Sequence, residues 1–317
     1  MSKLAIVIVT WNVRDLALNA LKSLFADIEN SRLSAEVYVV DNASSDNTAD
    51  AIAEQFPQVH LTASEENLGF GGGNNYALKQ IGFGRANTND LPDAVYLLNP
   101  DTITQVGATK ALYDTLMADD KLGLVGAQLA NADNSFQHGA FYFPGLRQLW
   151  VEFFPTPGRL INTTFNGRYP LTAYQQSEPF SVDFTLGATM MLKREVIQQT
   201  DMFDDDTFFM YCEEIDWAWR IRNAGWDIKC VPSAHVTHLV GQSTSQIRPQ
   251  SLVNLWTSRL RLFKKHYPRW KLFLARKMVM LGIQRKIRQT YRDHHLDQDM
   301  RGQLIKAYQE ILQLVLE

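Results

Sequence analysis

The hydrophobic pattern opens with Leu4-Ala5-Ile6-Val7-Ile8-Val9, an unbroken run rich in β-branched residues. Such runs form strands buried on both faces. After Thr10-Trp11-Asn12, the apolar positions Leu16, Ala20, Leu21 and Leu24 recur at helical spacing, which predicts a helix over residues 15–25. A second strand over 36–40 ends in Asp41-Asn42-Ala43-Ser44-Ser45-Asp46; a helix over 49–56 stops at Pro57, and a short strand follows over 59–62. Beyond a glycine-rich loop at 67–75, a helical pattern over 76–81 and a polar loop at 87–92, strand material resumes at Ala94. It ends in the turn Asn99-Pro100-Asp101. A helix over 107–117 and strands over 122–127, 182–192 and 226–232 complete the alternation, with short helices at 193–199 and from about Glu213. The expected fold class is α/β, a parallel, doubly wound sheet flanked by helices. Residues 131–181 lose periodicity and gain prolines and aromatics, which predicts a long excursion that shapes a pocket.

Candidate chemistry lies where strands end. In an open α/β sheet, ligands bind at the carboxyl ends of the strands, so the carboxylate of Asp101 is a candidate cation ligand or else a solvated turn residue. Asn67-Leu68-Gly69-Phe70-Gly71-Gly72-Gly73-Asn74-Asn75 reads as a ligand loop, or as a plain glycine turn. The dinucleotide fingerprint anchored at Gly69 fails, because Asn74 stands where its last glycine belongs. A nicotinamide-dependent oxidoreductase is correspondingly disfavoured. In the 213–220 helix, Glu213, Asp216 and Arg220 share a face and can pair, whereas Glu214 points elsewhere beside Trp217. An unpaired carboxylate there is a candidate general base, although acids in a first turn also simply complement the helix dipole. His235 and His238, at i and i+3 before Gly241-Gln242-Ser243, are candidate ligands or satisfied surface histidines.

Composition adds three points. The two cysteines among 317 residues match neither a disulfide framework nor a zinc spacing, which fits a reducing, cytoplasmic compartment. No window is long and apolar enough to span a bilayer. The net charge of −3 conceals a segment from Leu239 to Arg292 without a single Asp or Glu but with many Lys and Arg. That segment is expected to form amphipathic helices that either touch an anionic membrane surface or pack on the catalytic domain. Nucleic acid is not expected, since no recognised nucleic-acid module accompanies the charge. Residues 303–316 read as a last amphipathic helix, a candidate for homo-oligomer contacts. The expected organisation is a catalytic domain over 1–243 and a basic helical extension over 244–317.

The ordered set Ile8-Val9-Thr10-Trp11-Asn12, Val40-Asp41-Asn42-Ala43-Ser44, the 67–75 stretch, Asn99-Pro100-Asp101, Glu213-Glu214-x-Asp216 with Arg220, and His238 resembles glycosyltransferase family 2. Within it, the set is most similar to rhamnosyltransferase-like members that build bacterial surface polysaccharides. The resemblance implies a GT-A fold, Rossmann-like, with a mostly parallel mixed sheet. It implies an inverting, metal-dependent transfer from a nucleoside-diphosphate sugar, dTDP-rhamnose or a UDP-sugar, to a glycan or polyprenyl-linked acceptor at the inner face of the membrane. On that reading Thr10, Asn12, Asp41, Asn42, Asn67, Gly71, Asn74, Asn99 and Asp101 bind the donor, and Glu213, Asp216 and Trp217 line the acceptor side. Glu214 is the catalytic base, and Asp101 with His238 holds Mg²⁺ or Mn²⁺. Asn99 stands where the family's metal motif has its first acid, which leaves one carboxylate at the turn. The competing expectation is a catalytically silent nucleotide-sugar-binding or scaffold protein on the same fold.

Overall fold

A computed structural model describes residues 3–85, 90–239, 248–293 and 295–316. Strand β1 (Lys3–Thr10) sits inside the sheet because its apolar residues find cover on both sides. Leu4, Ile6 and Ile8 enter one core, and Ala5 and Val7 enter the other. Strand β4 (Ala94–Leu98) divides the same way, Tyr96 and Leu98 against Val95 and Leu97. Helices α1 (Arg14–Ser31), α2 (Thr48–Gln55) and α4 (Ala108–Met117) cover the first face through Leu21, Ile52 and Leu112. The second is covered by α3 (Gly69–Ile81), α7 (Arg194–Thr200) and α8 (Glu213–Asn223) through Leu78, Val196 and Trp217.

The remaining long-sheet strands are β2 (Ser34–Asp41), β3 (His60–Ala63), β5 (Thr102–Thr104), β6 (Leu122–Ala130), β11 (Thr189–Lys193) and β12 (Asp227–His238). Their order is β3-β2-β1-β4-β11-β6-β12-β5. β11 runs antiparallel between β4 and β6, and β5 antiparallel beside β12, so the sheet is mixed rather than wholly parallel. The cause lies in residues 131–181. They are a long excursion with short strands β7 (Phe136–Gln137), β8 (Ala140–Phe141) and β9 (Phe180–Ser181) and helices α5 (Leu146–Phe153) and α6 (Leu171–Tyr174), not one crossover helix. The chain can therefore re-enter the sheet from the opposite end. Residues 182–192 are correspondingly split, with β10 (Phe184–Thr185) pairing β8 away from the main sheet.

Two further expectations need correction. The glycine-rich stretch is not a loop but the first turns of α3, which begins at Gly69 and not near Tyr76. Its glycines allow close packing: a Cβ on Gly73 would stand 2.7 Å from Val9 Cγ1. β12 continues past Pro232, because a register shift between Val231 and His235 absorbs the proline. Part of the 87–92 loop, Gly241-Gln242-Ser243 and the boundary expected between 243 and 244 lie outside the described residues.

Helices α9 (Arg248–His266), α10 (Arg269–Arg292) and α11 (Gln298–Leu316) pack with α5 around their own core of Phe153, Trp256, Phe263, Val279, Ile283 and Ile311. Ala307, Ile311 and Val315 of α11, the helix read as a candidate for homo-oligomer contacts, are buried within this bundle. Leu262 on α9 packs with Phe208 and Cys212, just before α8, and Ser258 donates to the Met210 carbonyl at 2.7 Å. Among the described residues no helix is long and apolar enough to cross a membrane.

Candidate active site

A cavity of about 280 Å³ opens at the carboxyl ends of β1, β2 and β4, lined by Thr10, Trp11, Asn42, Asn67, Asn99 and Asp101 among others. Phe70 of α3, Phe209 and Met210, and Gln250, Ser251 and Asn254 of α9 complete its wall. The α9 contribution was not legible in the sequence, where this helix reads only as part of a basic tail. Asn42 Oδ1 and Asn99 Oδ1 are buried and accept no hydrogen bond among the described residues.

Four residues expected to touch the donor make contacts within the walls. Asp41 is buried, accepting from Thr10 Oγ1 at 2.7 Å and from the Ser44 amide and hydroxyl at 3.0 and 2.6 Å. Asn12 Oδ1 accepts from the Ser45 amide at 2.7 Å and ties the loop after β1 to the loop after β2. Asn74 donates to the Phe70 carbonyl at 2.8 Å inside α3, and Gly71 faces the Phe203 side chain. Asn42 Nδ2 donates to the Gly69 carbonyl at 3.0 Å, and Asn67 Oδ1 accepts from the Gly69 amide at 2.9 Å. These bonds fix the rim where α3 meets the sheet.

Asp101 and His238 are brought together by backbone pairing. His238 stands opposite Thr102 in the β12–β5 ladder, and the Leu239 amide donates to the Asp101 carbonyl at 2.8 Å. The side chains meet at 3.4 Å between Asp101 Oδ1 and His238 Nε2, both nearly buried. His238 Nδ1 lies 3.0 Å from Gln137 Oε1, which favours a proton on Nδ1 and leaves the Nε2 lone pair facing Asp101. One imidazole nitrogen and one carboxylate oxygen at this spacing suit two neighbouring positions on one divalent cation, whose ligands lie about 3 Å apart for bonds of about 2.1 Å. Among the described residues no cluster of three or more His, Cys, Asp or Glu side chains is present, so further ligands would come from a bound diphosphate and water. His235 is exposed: strand alternation sends positions i and i+3 to opposite faces, so the two histidines do not act together.

The acidic helix separates into distinct environments. Glu213 is buried with Oε2 unpartnered among the described residues, and burial together with the neighbouring Glu214 charge pushes its carboxyl well up. Burial pushes Glu214 up to about 7, against weaker lowering by amides at the helix start. A methyl group placed on Gly187 would meet Phe70 Cζ at 3.5 Å and the Glu214 side chain at 3.7 Å, so this glycine separates the pocket wall from Glu214. Asp216 and Trp217 do not line an acceptor site. Asp216, fully buried, binds His266 Nε2 and Lys265 Nζ, each at 2.7 Å, and Arg220 Nε at 2.9 Å. Burial alone would raise it, but these partners outweigh that and hold it at about 2. Trp217 is core, with its indole donating to Thr200 Oγ1 at 2.9 Å. Lys265 and His266 thus clamp the acidic helix to α9; their only signal was adjacency in a helical pattern.

Comparison with known proteins agrees with this layout. A curated Mycobacterium tuberculosis (strain ATCC 25618 / H37Rv) protein, N-acetylglucosaminyl-diphospho-decaprenol L-rhamnosyltransferase, is 31% identical over 217 residues, 66% of this chain and 68% of that protein. The low-salt glycan biosynthesis hexosyltransferase Agl10 of Haloferax volcanii is 28% identical over 208 residues, 64% of this chain and 59% of that protein. In fold, the chain is similar to the mannosyltransferase PcManGT of Pyrobaculum calidifontis, solved with GDP-Man and Mn²⁺, at TM-score 0.52 and 16% identity over 99% of this chain and 86% of that one. It is likewise similar to S. aureus TarS 1-349 at TM-score 0.53 and 14% identity, covering 98% and 90%. The profile described as "Glycosyltransferase like family 2" matches residues 2–261, which takes in the turn at Asp101, the acidic helix, His238 and most of α9. With that match over most of its length and a mixed sheet shared with GT-A enzymes, this chain belongs to glycosyltransferase family 2.

Proposed function

We propose that the protein is an inverting glycosyltransferase that moves a deoxyhexose such as rhamnose from a nucleoside-diphosphate donor to a hydroxyl of a lipid-linked N-acetylglucosamine acceptor. The observation that carries this reading is the Asp101–His238 pair at 3.4 Å, with Asp101 on the wall of the cavity. The acceptor class is taken from the rhamnosyltransferase relative, whose name includes such an acceptor.

The donor occupies the cavity with its nucleoside near Thr10, Trp11 and Asn42 and its diphosphate toward Asn99 and Asp101. Glu214, beyond Phe70, takes the proton from the acceptor hydroxyl as that oxygen attacks the anomeric carbon. The bond from that carbon to the diphosphate oxygen breaks, its electron pair leaves with the nucleoside diphosphate, and configuration inverts. Near-buried surroundings keep Glu214 basic enough at neutral pH to accept that proton. A divalent cation, Mg²⁺ or Mn²⁺, held by Asp101 and His238 would neutralise charge developing on the leaving diphosphate. Gln137 orients the histidine for that role.

Incubation with Mg²⁺ or Mn²⁺, dTDP-rhamnose or UDP-sugars, and a short-chain polyprenyl diphosphate N-acetylglucosamine tests the reading. Release of nucleoside diphosphate that depends on both acceptor and metal, with an inverted product linkage, is expected. Binding of donors without turnover would establish the silent nucleotide-sugar-binding protein in its place.

A further inference from the structure

The cations of the acid-free segment divide between two helices. Three on α9 are engaged by the fold: Arg259 pairs with Glu152, Arg261 donates to the Thr207 carbonyl at 2.7 Å, and Lys265 binds Asp204 and Asp216. Those of α10 are not absorbed in this way. Its inner face, Ala275, Val279, Gly282 and Ile283, is buried against α5 and the neighbouring helices. The outer face carries Trp270, Phe273 and Leu274, then Leu281 and Tyr291, all exposed by 42% or more. At 100° per residue these fall on the same side as Lys277, Arg285, Arg288 and Arg292. Lys277 Nζ lies 5.5 Å over the Phe273 ring, an ammonium carried at the rim of an aromatic side chain.

An exposed face with three aromatics, two leucines and four cations is unusual on a protein meant to stay in water. Its composition matches helices that lie in the plane of a membrane surface, with aromatics at headgroup depth and cations among anionic lipids. We propose that α10 is an interfacial helix that docks the protein flat on an anionic lipid surface. Charge selects this occupant: between Leu239 and Arg292 no acid is present, so a second copy of the same face would be repelled, whereas an anionic bilayer attracts it. Each cation near such a surface strengthens binding by about fivefold, and the buried apolar side chains add to that. This inference stands on the surface alone and does not depend on the transfer chemistry.

Flotation of the full chain with vesicles of phosphatidylglycerol and phosphatidylcholine, beside vesicles of phosphatidylcholine alone, is the test. The wild-type protein is expected to float with the anionic vesicles at least tenfold more than with the neutral ones, and to be released in part by 0.5 M NaCl. The pair Trp270→Ala/Phe273→Ala and, separately, Lys277→Glu/Arg288→Glu should each lower vesicle binding at least tenfold. Because these side chains are exposed, thermal midpoint and nucleoside-diphosphate binding should stay as in the wild type. Protein that remains unbound with anionic vesicles overturns the proposal, as does binding that both variants leave unchanged. A dimer in size-exclusion chromatography that the same substitutions dissolve would also overturn it, assigning the face to a second copy.

Discussion

Glu214 and Asp216 stand two residues apart on one helix yet shift in opposite directions, because only Asp216 meets cations. Glu214 is raised to about 7, so activity should have a rising limb near neutral pH as the base loses its proton. Glu214→Gln should lower the transfer rate about 100- to 10,000-fold while nucleoside-diphosphate affinity changes less than about twofold, read by product assay and calorimetric titration. Equal loss of both would make this glutamate structural. The raised carboxyl binds its proton more tightly in the folded state, so it opposes folding progressively as pH rises from about 4.3 towards 7. Asp216, held at about 2, has the other sign: its contribution is present above the ordinary aspartate range and is lost as pH falls towards 2. Asp216→Ala leaves Lys265, His266 and Arg220 without their shared carboxylate and should destabilise by about 3–5 kcal/mol in urea unfolding at pH 7, with a smaller difference at pH 2.5. The pairing of Asp216 with Arg220 on one face of the helix was legible in the sequence. The further cations on Asp216 were not, since Lys265 and His266 lie some fifty residues on.

At the scale of elements, periodicity located most helices and strands to within a few residues, because each has a buried face that imposes its repeat. It misread the 67–75 stretch, where glycine, usually a loop signal, is used to bring a helix against β1 and the segment around Phe203. It also stopped the last strand at Pro232, because a bulge that absorbs a proline has no periodic signature. That extra length matters, since it carries His238 to Asp101. Gly282 is a second close approach: a Cβ there would overlap the ring of Phe153 where α10 crosses α5. Gly282→Ala should therefore destabilise by about 1–3 kcal/mol, read as a lowered thermal midpoint, despite the better intrinsic helix propensity of alanine.

Across the whole molecule, helix α9 and the main sheet line one cavity. Gln250 and Asn254, bonded to each other at 3.1 Å, close the cavity from α9, and the Asp216 cluster clamps that helix to α8, which carries Glu214. Gln250→Ala/Asn254→Ala should weaken nucleoside-diphosphate binding about tenfold, about 1.4 kcal/mol, with little change in thermal midpoint; calorimetric titration with Mn²⁺ present checks it. An unchanged affinity would return α9 to a purely structural part. The alternation of strands and helices, the acid-free basic run and the ordered motifs were readable along the chain because each depends on neighbours within a turn, a strand or a short loop. The metal-suited pair, the division of the basic run into inward and outward helices, and the removal of Asp216 and Trp217 from the site depend on contacts between distant segments. Side-chain type says what a group can do; the partner that the fold sets beside it determines whether it does so.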